Sequence, residues 1–353
     1  MNLKGKTVLI TGGTGSLGKA LTRRILAEQL GKPRKIRIFS RDEAKQHEMR
    51  LAYKNLSVAT DETIYNNFEE LVEFQIGDVR DYHSIASALR TADIVFNAAA
   101  LKQVPTCEYF PYEAVRTNIE GPENIIRAIR ENKLSVETVI GISTDKACKP
   151  INVMGMTKGI QERLFISANL SCPETRFVCV RYGNVLASRG SVIPLFLSQI
   201  KAGGPLTITT KNMTRFLLSL DDAVDVIFAA AGEARRGEIF VPCVPSAKVI
   251  DVAKTLIGKR KIKIISIGIR PGEKVHEILI SEEECHRTIL KRKYFVITPL
   301  LPELKYLYDE KDRLSEEYSS AKYIMDIKDL KKLLEEKILL LTDDFSIKEE
   351  LLA

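Results

Sequence analysis

A carboxyl group and an amine stand side by side at Asp145 and Lys146, directly after the hydroxyls of Ser143 and Thr144. In an arbitrary loop such neighbours make a surface ion pair of little consequence. At the mouth of a ligand site the same groups can act as proton donor and acceptor, provided their surroundings shift both titrations. A second cluster is Thr11-Gly12-Gly13-Thr14-Gly15-Ser16-Leu17-Gly18. Glycine at 12 and 15 permits a sharp turn and lets the backbone approach a pyrophosphate, and Gly18 lets the next helix pack on the preceding strand. Gly12, Thr14, Gly15, Ser16, Leu17 and Gly18 would then face phosphate with the free amides of a helix N-terminus.

Both clusters need a scaffold that brings them together. Short apolar runs that read as strands are Thr7 to Thr11, Ile36 to Ser40, Val72 to Ile76, Ile94 to Ala98, Val139 to Ser143 and Phe177 to Arg181. Between them, helical spacing covers Leu17 to Gln29, Glu43 to Asn55, Ser84 to Leu89, Tyr112 to Asn132 and Val153 to Ala168. Strand and helix in alternation, with strands almost continuously apolar, predict an α/β fold with a doubly wound parallel sheet buried on both faces. The glycine cluster follows the first strand and the Ser143 to Lys146 segment ends the fifth. Both therefore lie at carboxyl ends of strands, where open α/β sheets bind ligands. Residues 1–182 are expected to form the dinucleotide-binding domain, and 183–302 a smaller C-terminal substrate lobe that partly rejoins the first sheet. Residues 303–353 read as a charged helical tail, with helical spacing over Asp326 to Leu341 and an apolar face that could pack on its own subunit or on a neighbour.

The second strand ends in Phe39-Ser40-Arg41, with Lys45 one turn into the next helix. A site for NAD places an acid there to bind the ribose 2′-hydroxyl. A hydroxyl, a guanidinium and an ammonium suit a 2′-phosphate instead, so NADP is the expected cofactor, with Asp42 capping the helix that begins there. Asp78 and Val79 after the third strand, and Ala98, Ala99 and Ala100 after the fourth, are placed to line the adenine and the middle of the cofactor.

Composition narrows the alternatives. A net charge of +7, from 53 Lys and Arg against 46 Asp and Glu, is modest, and no nucleic-acid-binding module accompanies it. A small anionic ligand is the simpler partner. No apolar run approaches the roughly 18 residues of a membrane span, and the start MNLKGKTVLITGG lacks the pattern of a secretory signal, so the cytoplasm is the expected compartment. The six cysteines form no CxxC pair, which fits reduced thiols and predicts no structural metal.

The motifs TGGTGSLG, SRDEAKQ, AALKQVP, STDKA, PINVMGMTK, RYGNV, TRF and RPGEKVHE occur in this order over residues 4–300. In this the chain resembles the extended short-chain dehydrogenases/reductases, with their Rossmann-type sheet. It is most similar to the UDP-N-acetylglucosamine 4,6-dehydratases of the capsule and flagellar-glycan branch. The resemblance implies a redox-neutral reaction in which NADP takes hydride from sugar C4, water leaves across C5 and C6, and hydride returns to C6. It implies Asp145 as the acid at the C6 hydroxyl, Lys146 as the base at C5, and Thr144 as a hydroxyl that orients Asp145 or bonds the C4 oxygen. The acid role needs the pKa of Asp145 raised and the base role needs that of Lys146 depressed. An ionised pair opposes both shifts unless one proton is shared.

The family's YxxxK motif reads Met154-Gly155-Met156-Thr157-Lys158 here. Residues 154 and 158 share a helix face, but a thioether exchanges no proton. Lys158 is implied to hold the nicotinamide ribose, and Met154 either takes the tyrosine's place at the site or packs in the core. Asn118 and Lys102 are implied near the cofactor. Lys102, Cys107, Asn184, Arg215, Arg270 and Glu273 are implied near the UDP-sugar, although a small buried residue is the plainer reading of Cys107. Inversion at C5 is the expected stereochemistry and a homo-oligomer, a hexamer by resemblance, the expected assembly. A C5-retaining 4,6-dehydratase, a C4 epimerase or reductase, or a non-catalytic NADP-binding protein are the alternatives.

Overall fold

The structure is a computed structural model, and it describes residues 1–55, 62–186, 192–306 and 313–336. Strand β1 (Thr7–Thr11) leads into α1 (Ser16–Leu26), followed by β2 (Lys35–Ser40), α2 (Glu43–Asn55), α3 (Glu62–Leu71) and β3 (Val72–Ile76). Next come α4 (Tyr82–Leu89), β4 (Ile94–Asn97), α5 (Val104–Tyr109), α6 (Pro111–Val115) and α7 (Gly121–Asn132). Strand β5 (Thr138–Thr144), a 3-10 turn at Asp145–Ala147, α8 (Val153–Ser171) and β6 (Arg176–Tyr182) complete the first half.

The second half runs through α9 (Val192–Lys201), β7 (Leu206–Ile208), β8 (Thr214–Phe216), α10 (Leu220–Glu233), β9 (Ile239–Pro242) and β10 (Ser246–Lys248). It continues with α11 (Val249–Ile257), β11 (Ile264–Ser266), β12 (Ile278–Ile280), α12 (Glu282–Cys285), β13 (Thr288–Lys291) and β14 (Tyr294–Ile297). Strand β15 (Tyr318–Ser319) and α13 (Ile327–Glu336) close the described chain.

The main sheet has nine strands in the order β13-β14-β9-β6-β5-β4-β1-β2-β3. Strands β1 to β6 and β9 pair in parallel. Strands β14 and β13 add antiparallel, a departure from an all-parallel sheet that ends it with a hairpin. Period-two alternation explains the continuous apolar runs. Val8 and Ile10 enter one core and Leu9 the other, as do Val178 and Val180 against Phe177 and Cys179. Every position on a strand covered by helices on both faces is interior. Helices α1, α2, α3 and α10 cover one face and α4, α7 and α8 the other.

The expected helix from Tyr112 to Asn132 is interrupted. Residues Arg116–Glu120 form one π-helical turn between α6 and α7, just ahead of Pro122, which cannot donate to the preceding turn. Such turns widen a helix where a site needs space, and Thr117 of this turn lines the cavity described below. Helices α3 and α5 lie outside the expected elements. Of the expected tail helix, Ile327–Glu336 is helical and residues 337–341 lie outside the described residues. Leu330 and Leu334 of α13 are buried in a third core with Ile193, Phe196, Val252 and Leu256, so the tail packs on its own chain.

A buried cation ties β6 to α8 and α12. Arg181, 2% exposed, donates to both oxygens of Glu162 on α8 at 3.0 and 2.7 Å and to both oxygens of Glu284 on α12 at 2.7 and 3.0 Å. Burial alone would weaken its charge, but the two carboxylates overcome this and hold the guanidinium firmly protonated. Replacement by methionine, R181M, leaves Glu162 unpaired in the core, while Glu284 keeps Arg287 at 3.0 Å, and is expected to cost about 3–5 kcal/mol. A urea midpoint unchanged from wild type would show that the cluster does not hold these elements together.

Candidate functional site

Sheet order reverses between β1 and β4, and ligands of open α/β sheets bind beyond the strand ends at that point. A cavity of ≈ 1050 Å³ opens there and extends to the 207–215 and 270–277 segments. Its walls include the glycine turn, the ends of β2, β3, β4 and β5, Met154 and Lys158 of α8, and the 270–277 segment.

The glycine turn fits a dinucleotide phosphate. Gly12 has φ +64, and a Cβ there would lie 2.8 Å from the Ala99 nitrogen. Helix α1 starts at Gly15 with no side-chain cap and no acid in its first turn. Asp81, Asn152 and Ser219, by contrast, cap α4, α8 and α10. The first amides of α1 are therefore left for an anion. Thr14, Ser16, Leu17 and Gly18 line the same wall, with Asp78, Val79, Ala98, Ala99, Ala100 and Lys102 beside them.

At the end of β2, Ser40, Arg41 and Lys45 all line the cavity. The Ser40 hydroxyl accepts from Gln46 Nε2 at 3.1 Å. Asp42 accepts from the Lys45 amide at 3.0 Å and from Lys45 Nζ at 2.6 Å, and these bonds hold its carboxyl below the usual range. It is the expected cap, and it also engages the ammonium that the sequence assigned to phosphate. Arg41 Nη1 stands 3.6 Å from Asp78 Oδ2.

The segment after β5 is built from its immediate neighbours. Asp145 is fully buried. Its Oδ1 accepts from the Thr144 hydroxyl at 2.8 Å and from Lys146 Nζ at 3.0 Å, and its Oδ2 has no partner. Lys146 Nζ also lies 3.3 Å from Glu277 Oε1. Helix α8 packs directly on this turn, since a Cβ at Gly155 would come within 2.1 Å of the Lys146 carbonyl oxygen. Asn152 fixes that helix start by accepting from the Gly155 amide at 2.8 Å and donating to the Gly272 carbonyl at 2.7 Å.

One electrostatic expectation is reversed. Burial pushes the Lys146 ammonium down, but Asp145 and Glu277 together overcome it and hold its pKa above the ordinary lysine value. Burial depresses other amines of the cavity wall instead, lowering Lys102 and Lys274 and bringing Lys158 to about 8. Lys158 donates to Gln161 Oε1 at 2.7 Å, and Gln161 Nε2 in turn donates to the Ile142 carbonyl at 3.1 Å.

Two expected contacts lie off the cavity. Cys107 is fully buried against Met154 and Ala114, and burial pushes its thiol up to about 11. Asn118 is fully buried and brackets Leu101, accepting from its amide and donating to its carbonyl, both at 2.9 Å. It shapes the loop that carries Lys102. Met154 fills both of its expected places, packing on Cys107 while lining the cavity.

Asn184, Arg215, Arg270 and Glu273 also line the cavity. Arg215 is already engaged, donating to the carbonyls of Thr214, Val275 and Lys274 and standing 3.6 Å from Glu277. Glu273 accepts from the Thr209 hydroxyl at 3.2 Å. Sequence reasoning passed over Glu277 and Gln161. Glu277 ends the quoted RPGEKVHE run, and Gln161 lies one turn beyond Lys158.

A family profile described as polysaccharide biosynthesis protein matches residues 8–299. A Rickettsia akari (strain Hartford) protein named UDP-glucose 4-epimerase is 46% identical over 357 residues, 98% of each chain. The X-ray structure of Pen from Bacillus thuringiensis, 36% identical, superposes with a TM-score of 0.85 over 96% of this chain and 100% of its own. DesIV of Streptomyces venezuelae, a dTDP-glucose 4,6-dehydratase with NAD and TYD bound, reaches 0.63 over 76% of this chain and 86% of its own. At 18% identity that last likeness speaks for the fold alone.

The Lys158 assignment is measurable through stability. Between pH 8 and 10.5 the unfolded lysine carries a proton that the folded one lacks, so wild-type stability rises through this window. Relative to K158M, the wild type should therefore gain a few kcal/mol over that range, since each pKa unit is worth about 1.4 kcal/mol. Urea midpoints of both proteins at the two pH extremes would show it, and a gap independent of pH would mean that Lys158 titrates normally.

Proposed function

Because the chain belongs to the polysaccharide biosynthesis protein family, within the extended short-chain dehydrogenases/reductases, we propose that it is a UDP-N-acetylglucosamine 4,6-dehydratase using NADP. The observation that carries this reading is the Asp145–Lys146 pair, joined at 3.0 Å in the wall of the cavity that also holds the glycine turn. An enzyme that only moves hydride at C4 has no use for a separate acid and base directed at C5 and C6. Loss of water needs both.

The glycine turn, Ser40, Arg41 and Lys158 are the residues that would hold NADP, which supplies a reversible store for hydride. With C4 as a ketone the C5 hydrogen is acidified. Lys146 accepts that proton and Asp145 delivers one to the departing C6 hydroxyl. Thr144 turns Asp145 toward that task through its 2.8 Å bond. Lys158 grips the nicotinamide ribose, and Met154 closes the wall beside it without exchanging a proton. Arg270 and Glu273 serve the diphosphate and ribose of UDP, with Asn184 beside them, while Arg215 acts from behind through the 274–275 backbone. Inversion at C5 is part of the proposal, with retention as the alternative, and the C5 coupling of the product separates the two.

The choice of NADP is supported by the occupation of Asp42 as a helix cap, which leaves Arg41 and Ser40 to meet the 2′ position. A fluorescence titration should give tighter binding of NADP than of NAD, and the opposite order would remove the assignment.

A second reading, C4 epimerisation of a UDP-sugar, is favoured by the name of the Rickettsia akari relative. Product mass separates the two. Incubation with UDP-N-acetylglucosamine is expected to give a product lighter by one water and a new C6 methyl doublet in the proton NMR spectrum, whose coupling reports C5. K146M should abolish this product while NADP still binds. A product of unchanged mass would establish the epimerase.

A further inference from the structure

Glu277, a buried acid in the cavity wall, has no part in the mechanism above. Glu277 is 1% exposed and directly precedes β12. Its Oε1 is 3.3 Å from Lys146 Nζ and 3.6 Å from Arg215 Nε, and its Oε2 has no partner. Arg215 is anchored on β8 by the three carbonyls it serves. Lys274, the other cation of this arm, is turned onto the Cys148 carbonyl at 2.7 Å. Glu277 Oε1 is therefore shared between a fixed cation and Lys146. Asp145, Glu277, Lys146 and Arg215 together carry two negative and two positive charges.

We propose that Glu277 is a positioning residue that governs Lys146, holding its nitrogen between two carboxylates and keeping the cluster neutral while Lys146 and Asp145 exchange a proton. Moving one proton from Lys146 Nζ to Asp145 Oδ1 breaks an N–H bond, forms an O–H bond and converts an ion pair into a neutral amine and a neutral acid. The Glu277–Arg215 pair is unaltered, so the cluster carries no net charge before or after. Glu277 favours the ammonium and so sets the cost of this transfer; once made along the existing hydrogen bond, the transfer prepares the base for C5 and the acid for C6 together. This purpose rests on the dehydratase reading, whereas the charge relation itself does not.

The test reads Lys146 without turnover. Competitive acetylation with acetic anhydride across a pH series, quantified by peptide mass spectrometry against exposed Lys261, gives the titration of Lys146 directly. E277Q removes an anion in contact with the ammonium, so the Lys146 midpoint should fall by about one unit or more, a tenfold rise in neutral amine at a fixed lower pH. E277D should move it back toward wild type. R215Q removes the opposing cation and should move the midpoint upward, which keeps the relation open to refutation if E277Q does not fold. A folded E277Q with the wild-type midpoint, or a downward shift in R215Q, would overturn the proposal. Absence of a dehydrated product would refute the function above and leave this result intact.

Discussion

Arg181 has no access to water, and a guanidinium in that position has to be matched by carboxylates and carbonyls from whatever surrounds it. Here the match draws on α8 through Glu162, on α12 through Glu284, and on the Leu279 carbonyl of β12 at 2.9 Å. Glu162 also accepts from the Ser143 hydroxyl at 2.6 Å, one residue before the Thr144-Asp145-Lys146 turn with its buried Asp145. The cluster therefore fixes three things relative to one another: the end of β5, the helix carrying Met154 and Lys158, and the strand that follows Glu277. Displacement of any one would leave a buried charge uncompensated.

The same balance recurs at smaller scale beside it. Asp145, Lys146, Glu277 and Arg215 pair their charges within one wall of the cavity. Each carboxylate keeps one buried oxygen without a hydrogen-bond partner, and buried polar atoms left in this way are costly. Lys158, held at a reduced pKa by burial, is a further case of stability set against function.

Much of this was legible before any coordinates. Six strands and the glycine turn follow from apolar run length, two-faced burial and the placement of glycine between strand and helix. Five of the expected helices appear, but Tyr112 to Asn132 contains the π turn ahead of Pro122, because the demand for space at Thr117 comes from the cavity rather than from local propensity. Helix α3 escaped notice since its apolar positions, Ile64, Phe68 and Leu71, are spaced among polar neighbours and buried by contact with α1, α2 and β3, with Tyr53 of α2 stacked on Phe68. The assignment of Cys107 to the substrate followed its closeness in sequence to the end of β4. A thiol packed on Met154 satisfies the same spacing.

Local chemistry, which depends on residue type and short spacing, was determined by the chain itself. That includes the phosphate-facing turn, the adjacent acid and amine, the missing phenol at Met154 and the capping role of Asp42. The signs and partners of the charges were decided by the tertiary structure alone. Glu277 lies 131 residues beyond Lys146 in the chain and 3.3 Å from it in space, and this contact helps to raise the ammonium that the sequence required to be lowered. Coulomb energy depends on distance and on the surrounding dielectric, and neither quantity is written in the order of residues.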